Sequence, residues 1–388
     1  QQFQSGRHFL QIPGPTNVPD RILRAIERPT IDHRGPEFKG LCFEVLEGIK
    51  EIFQTREPVI IYPASGTGAW EAALVNTHSS GEKVLMYDTG HFASTWYKLA
   101  IKLGLDAQLL PGSWRDGVRP EEIEQALSED KDRNIRSVCV VHNDTATGIT
   151  SDIPAIRSAI DKSGHNALLC VDTISSLGSI DYRHDDWGVD VTVSASQKGL
   201  MLPPGLSFNA VSELALERAA ENQGMHSYWR WDAMLEHNQR GYFPYTPSTN
   251  LLYGLEEALN LLHREGLDNV YARHSRFAAA TRAALAGWEL ENVCLNPAEF
   301  CNSTTAVMMP EGYDADDLRE DILSRFDMSL GTGLGRLKGL VFRIGHLGDF
   351  NELMLMGTLS GVEMGLKLGD VPHRTGGVQQ AMDALIGS

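Results

Sequence analysis

The chain is short of cysteine, of positive charge and of long apolar runs, and each shortage narrows its function. Five cysteines (Cys42, Cys139, Cys170, Cys294 and Cys301) are scattered with no CxxC pair. That excludes a disulfide framework and a zinc knuckle, and predicts reduced, buried thiols. Basic residues number 34 against 51 acidic ones, leaving a formal net charge of −17. So acidic a protein is unsuited to nonspecific binding of nucleic acid or an anionic membrane. An anionic ligand has to be held by local groups, against the field of the whole molecule. No apolar run approaches the ~20 residues of a membrane helix. The first eleven residues do not have the layout of a secretory signal. The final Ala384-Leu385-Ile386-Gly387-Ser388 is neither a peroxisomal nor a retention signal, so the expected location is cytoplasmic. Solenoid repeats and low-complexity tracts are absent as well.

What is present is ordinary globular material: 388 residues, 42% hydrophobic and 22% charged, enough for a sizeable core. Apolar runs at 59–62, 83–87, 135–141, 167–171, 189–193 and 205–211 read as strands. Helical patterns at 67–76, 91–103 and 153–162 alternate with them, the last capped by Asp152. Such βαβ alternation predicts an α/β fold with a mainly parallel sheet flanked by helices. After about residue 262 the character changes. One or two helices at 266–288, strands at 304–309 and 339–344, and helices at 314–326 and 349–368 predict a smaller α+β domain. The expected division is an N-terminal arm (1–20), a large domain (21–264) and a small C-terminal domain (265–388).

Four local features carry chemistry. Ser65-Gly66-Thr67-Gly68 follows a strand and opens a helix, where small residues let backbone amides approach an anion; a plain strand–helix turn with a Thr cap reads equally simply. It is not a P-loop, because no Gly-Lys-Ser/Thr follows. Asp172 ends an apolar strand, where ligands gather in parallel sheets; its carboxylate suits a cationic ring nitrogen or a turn cap. Lys198, in Ser194-Ala195-Ser196-Gln197-Lys198-Gly199, lies among small and polar residues at a strand exit. There it is either a Schiff-base lysine with a lowered pKa or an exposed loop lysine. Arg343 sits inside an apolar strand, which needs a partner: a substrate carboxylate held by two parallel hydrogen bonds, or a neighbouring acid. Together the four suit pyridoxal 5′-phosphate, which takes an anion cradle, an acid for its pyridine nitrogen and a lysine.

The ordered motifs carry a family resemblance over nearly the whole chain. They are Pro13-Gly14-Pro15-Thr16, Asp32-His33-Arg34-Gly35, Ser65-Gly66-Thr67-Gly68-Ala69-Trp70-Glu71, His142-Asn143-Asp144-Thr145-Ala146-Thr147-Gly148, Val171-Asp172-Thr173, Ser196-Gln197-Lys198, Tyr245-Thr246-Pro247-Ser248 and Phe342-Arg343-Ile344-Gly345-His346. The chain resembles class-V, fold-type I pyridoxal-phosphate-dependent aminotransferases, above all the glyoxylate aminotransferases that take serine or aspartate. Asp144, where a glutamate is common, and Thr173, where a glycine is common, depart from the pattern.

The resemblance implies roles. Lys198 is the cofactor-bearing lysine and proton shuttle, and Asp172 the pyridine-nitrogen partner. Ser65, Gly66, Thr67 and Gln197 hold the phosphate, Phe92 stacks on the ring, and Thr145 lies near the ring hydroxyl. Arg343 clamps the substrate carboxylate. Tyr245, Thr246, His33 and Arg34 reach the neighbouring subunit's site, so a homodimer with shared active sites is expected. The implied reaction is ping-pong transamination of glyoxylate to glycine, with serine or aspartate as donor. An alanine donor or a pyruvate acceptor is the alternative within the family. Outside it stand a cysteine desulfurase-like lyase, which needs a nucleophilic Cys294 or Cys301, and a non-catalytic pyridoxal-phosphate-binding protein. For an aspartate donor a second cation is needed, from His33, Arg34 or His346. Gly331-Thr332-Gly333-Leu334-Gly335 reads as a flexible hairpin or active-site loop, not a dinucleotide fingerprint.

Overall fold

The computed structural model describes residues 6–222, 224 and 226–387. Strand β1 (Phe9–Gln11) lies in the N-terminal arm. β2 (Val59–Tyr62), β3 (Lys83–Tyr87), β4 (Asp106–Leu110) and β5 (Ile135–Val141) precede a small hairpin, β6 and β7 (Asn143–Asp144 and Ile149–Thr150). β8 (Leu168–Asp172), β9 (Val191–Ala195) and β10 (Ser207–Val211) follow, and β11 (Thr304–Met308), β12 (Met328–Thr332) and β13 (Val341–Gly345) come late in the chain.

Seven strands form the main sheet in the order β2-β10-β9-β8-β5-β3-β4. Five neighbours, β9 to β4, run parallel, and β10 runs antiparallel to β9 and β2. β2, β8, β9 and β10 are buried at every residue, which is why they read as continuous apolar runs rather than alternating ones. Helices cover the sheet between strands: Gly66–Thr77 after β2, His91–Lys102 after β3, Pro120–Glu129 after β4 and Ile153–Lys162 after β7. Asp152 caps the last of these as expected, its carboxylate accepting the Ala155 amide at 2.9 Å. This topology lines up the carboxyl ends of β2, β3, β5, β8 and β9 along one edge, where parallel sheets bind ligands.

A second sheet, β1-β12-β13-β11, packs against the helices Leu267–Trp288 and Ala315–Phe326. Its apolar cluster includes Phe277, Trp288, Phe342 and Leu359, separate from the cluster of the main sheet, which includes Trp70, Trp96, Phe208 and Val270. Helix Leu267–Trp288, one continuous helix, contributes Val270 to one cluster and Phe277 to the other.

Residues 331–335 do lie in a hairpin, between the antiparallel strands β12 and β13, but the structure corrects the expected looseness at its start. Gly331 and Thr332 are strand residues paired with Arg343 and Phe342, and a 3₁₀ turn follows at Gly335–Leu337. Gly331 serves close approach, not freedom: a Cβ there would stand 2.7 Å from Pro13 Cδ and 3.0 Å from Arg343 Cβ. β4 and the 18-residue helix Pro36–Phe53 were not expected from the pattern at all. β4 is an edge strand, exposed or half-buried throughout, so it lacks the apolar run that marks its neighbours.

Candidate active site

A cavity of about 240 Å³ opens at the carboxyl edge of the main sheet. Eight of the expected residues line it: Ser65, Gly66, Thr67, Phe92, Thr145, Asp172, Gln197 and Lys198. They arrive on five segments, each at the end of a strand or in the helix after it. Asp172 is the last residue of β8. Lys198 lies three residues beyond β9, in a turn held by the Ser196 amide on Leu206 O at 2.9 Å. The N-terminal arm closes over this turn: the Thr16 amide donates to Gln197 O at 3.1 Å, and Thr16 Oγ1 to Lys198 O at 3.3 Å.

Lys198 is buried, and its Nζ donates to Pro13 O. Gly14, beside that carbonyl, has φ +95°, and a Cβ there would lie 2.3 Å from Lys198 Cδ. Both conformation and space therefore demand glycine. Burial, with the nearby Arg343, lowers the Lys198 pKa to about 7. Asp172 is buried as well; burial raises its pKa to about 7, against hydrogen bonds from the Ile174 amide at 2.6 Å and Trp70 Nε1 at 2.9 Å. Trp70 is fixed in turn by stacking on Trp96, ring centroids 5.8 Å apart and 12° from parallel. The cavity thus holds one acid and one base that both titrate near neutrality, a perturbation that marks functional sites.

The helix Gly66–Thr77 points its start at the cavity. Ser65 is its N-cap yet makes no side-chain capping bond, and the first turn carries no acid. The leading amides and the hydroxyls of Ser65 and Thr67 are therefore available to an anion. A Cβ on Gly66 would meet Ile174 Cδ1 at 2.4 Å, so only glycine fits at this buried helix start. Gln197 Oε1 is buried without a partner. An anion cradle, an orphaned amide group, a buried acid and a buried lysine in one cavity fit pyridoxal 5′-phosphate.

Arg343, on β13 and only 7% exposed, is not among the residues that line this cavity but is tied to Thr145, which is. Its Nη1 donates to Thr145 O at 2.9 Å and its Nε to Thr332 O at 2.7 Å. No carboxylate pairs with it among the described residues, so the neighbouring-acid explanation is not the one realised. Burial lowers its pKa to about 10, opposed by the charge of Asp144.

The remaining expected residues lie elsewhere in this chain. Arg34 and Thr246 are exposed, and neither they nor His33 and Tyr245 line the cavity. Tyr245 stacks on Tyr228 with centroids 4.3 Å apart, and Tyr245 OH and His33 Nε2 are buried without partners. His346 is no second cation: burial lowers its pKa to about 3, and its ring meets Thr305 Oγ1 at 2.9 Å and Asn302 O at 3.1 Å. Cys301 is buried against Asn143 Oδ1 at 3.1 Å, and burial raises its pKa, the opposite of a nucleophilic thiol. Cys294 is likewise buried and pushed up to about 11. Trp70, Pro13 and Gly14 received no role from sequence. Their only signals were a tryptophan five residues after Ser65 and a glycine set between prolines.

The family model for class-V aminotransferases matches residues 8–333. Serine–glyoxylate aminotransferase of Methylorubrum extorquens is 47% identical over 93% of this chain and 91% of its own length. L-aspartate–glyoxylate aminotransferase of Paracoccus denitrificans is 42% identical over 91% of this chain and 89% of its own. Among solved structures, pyridoxamine–pyruvate aminotransferase of Mesorhizobium loti superposes with a TM-score of 0.91 at 25% identity, covering 99% of this chain and 98% of that one. The chain belongs to the class-V aminotransferases, enzymes of fold type I. It is a transferase, and the family implies pyridoxal phosphate as its cofactor.

Proposed function

We propose that this enzyme moves the amino group of a small L-amino acid, serine or aspartate, to glyoxylate, giving a 2-oxo acid and glycine. The observation that carries the reading is Lys198 and Asp172 meeting in one cavity beside the open start of helix Gly66–Thr77. The glyoxylate relatives reported above support the acceptor. When bound, pyridoxal phosphate supplies an electron-withdrawing ring conjugated to the substrate's α-carbon. The Ser65–Thr67 cradle and Gln197 would hold its phosphate, Phe92 its ring face and Thr145 the neighbourhood of its hydroxyl. Asp172 holds a proton for the pyridine nitrogen, which its raised pKa makes available at neutral pH. Lys198, whose pKa burial lowers to about 7, would carry the cofactor and serve as the base that takes and returns the substrate's α-proton. Arg343 binds the α-carboxylate of donor and acceptor in turn.

The site is completed by a second copy in this reading, His33, Arg34, Tyr245 and Thr246 serving the neighbour. Their position away from their own cavity and the unpartnered His33 Nε2 and Tyr245 OH support it. Two separate apolar clusters support an arm at 1–20, a large domain at 21–264 and a small one at 265–388. Five buried free thiols suit a cytoplasmic location.

A half-reaction screen tests the function. The loaded enzyme should lose its visible absorption with serine or aspartate and recover it with glyoxylate. Bleaching by alanine, or recovery by pyruvate alone, would select the alternative pair; colour indifferent to every donor would reject transamination.

A further inference from the structure

We propose that Asp144 is a positioning residue. With one carboxylate it fixes both the segment that carries Phe92 and the turn that carries Thr145, and Gly90 is the residue that makes room for it. The proposal rests on the reading above that the cavity takes pyridoxal phosphate and a substrate carboxylate.

Helix His91–Lys102 begins after Gly90, which has no side chain to cap it, and its first turn holds no acid. The cap comes from the hairpin instead. Asp144 Oδ2 accepts the amides of Phe92 at 3.1 Å and Ala93 at 3.2 Å. Its other oxygen accepts the Ala146 amide at 3.0 Å, and its carbonyl accepts the amides of Thr147 at 3.2 Å and Gly148 at 2.9 Å. Thr147 Oγ1 reaches back to Thr89 O at 3.4 Å. The residue between, Thr145, offers its carbonyl to Arg343. Moving the carboxylate would therefore move the ring-facing segment and the hold on Arg343 together. The carboxylate is 1% exposed and lies in the field of Arg343, Asp172 and Lys198. Gly90 has extended backbone, φ 171°, which any residue can adopt. Glycine is needed for space: a Cβ would stand 2.4 Å from Asp144 Cγ and 2.6 Å from each oxygen.

Two variants test this, Asp144→Ala and Gly90→Ala, the second keeping the carboxylate while displacing it. In the cofactor-free protein, hydrogen exchange at the Phe92 and Ala93 amides should quicken about tenfold in either variant, as for a lost cap, with exchange in β8 unchanged. In the loaded enzyme, visible circular dichroism should fall while absorption is retained. kcat should drop at least about tenfold, with a smaller change in KM, and the double variant should be no worse than the worse single one. Unchanged exchange at Phe92 and Ala93 would overturn the proposal. So would faster exchange with unaltered dichroism and kcat, because Asp144 would then be a structural cap only. Failure of the unmodified protein to take up pyridoxal phosphate would instead overturn the reading beneath it, a result the exchange measurement on cofactor-free protein keeps separate.

Discussion

At pH 7 an ordinary lysine is fully charged, but Lys198 is not, because burial beneath the arm and the nearby Arg343 charge lower its pKa to about 7. In the unfolded chain the amine titrates near 10.5, in the fold near 7. Between those values the unfolded chain binds a proton that the folded one does not, so stability from this group rises with pH across the window. Below pH 7 both states are charged and the burial penalty is felt in full. Replacing Lys198 with methionine should therefore stabilise the cofactor-free protein at pH 6, by up to roughly 5 kcal/mol, while abolishing turnover. The gain should shrink as pH rises towards 10. Urea melts across this range check it; a pH-independent difference would contradict the assignment. Asp172 acts in the opposite sense, from its ordinary 3.8 to about 7 in the fold: its contribution falls as pH rises through that window. The active site is thus built from two groups that the fold holds in their less charged forms.

Elements show where pattern reading succeeds. Ile135–Val141 and Ile153–Lys162 were legible to the residue, because burial on both faces or a cap followed by proline leaves little choice. Asp152→Ala should cost about 1 kcal/mol in a denaturant melt and leave kcat unchanged, since the cap lies outside the cavity; a loss of activity would mean that this helix bears on the site. Of the site, the residues at strand ends were legible: Asp172, Lys198 and the Ser65–Thr67 turn each follow an apolar run. Trp70, Pro13 and Gly14 were not, because their importance lies in contacts made across the fold, to Asp172 and Lys198. The strand Met328–Thr332 was hidden for a similar reason. Its glycine and the two just beyond look like looseness in sequence, whereas Gly331 packs tightly on Arg343 and Pro13.

The whole molecule carries a charge of −17 and yet has to attract a phosphate and two substrate carboxylates. In our proposal it answers locally, with a helix start and Lys198 at one edge of the main sheet, Arg343 from the second sheet, and groups from a second copy. Mixing tests that sharing. A Lys198→Ala chain and a chain with Tyr245 and Thr246 both changed to alanine should each be nearly inactive alone. Refolded together in equal amounts, they should regain about a quarter of full activity, because half the dimers then hold one intact site. Activity no higher than the mean of the two would place each site within one chain. The central claim, amino transfer to glyoxylate, is tested most directly by isotope. With ¹⁵N-serine or ¹⁵N-aspartate and unlabelled glyoxylate, the loaded enzyme should deliver the label into glycine, one for each 2-oxo acid formed. Label released as ammonium, or glycine left unlabelled, would contradict the account.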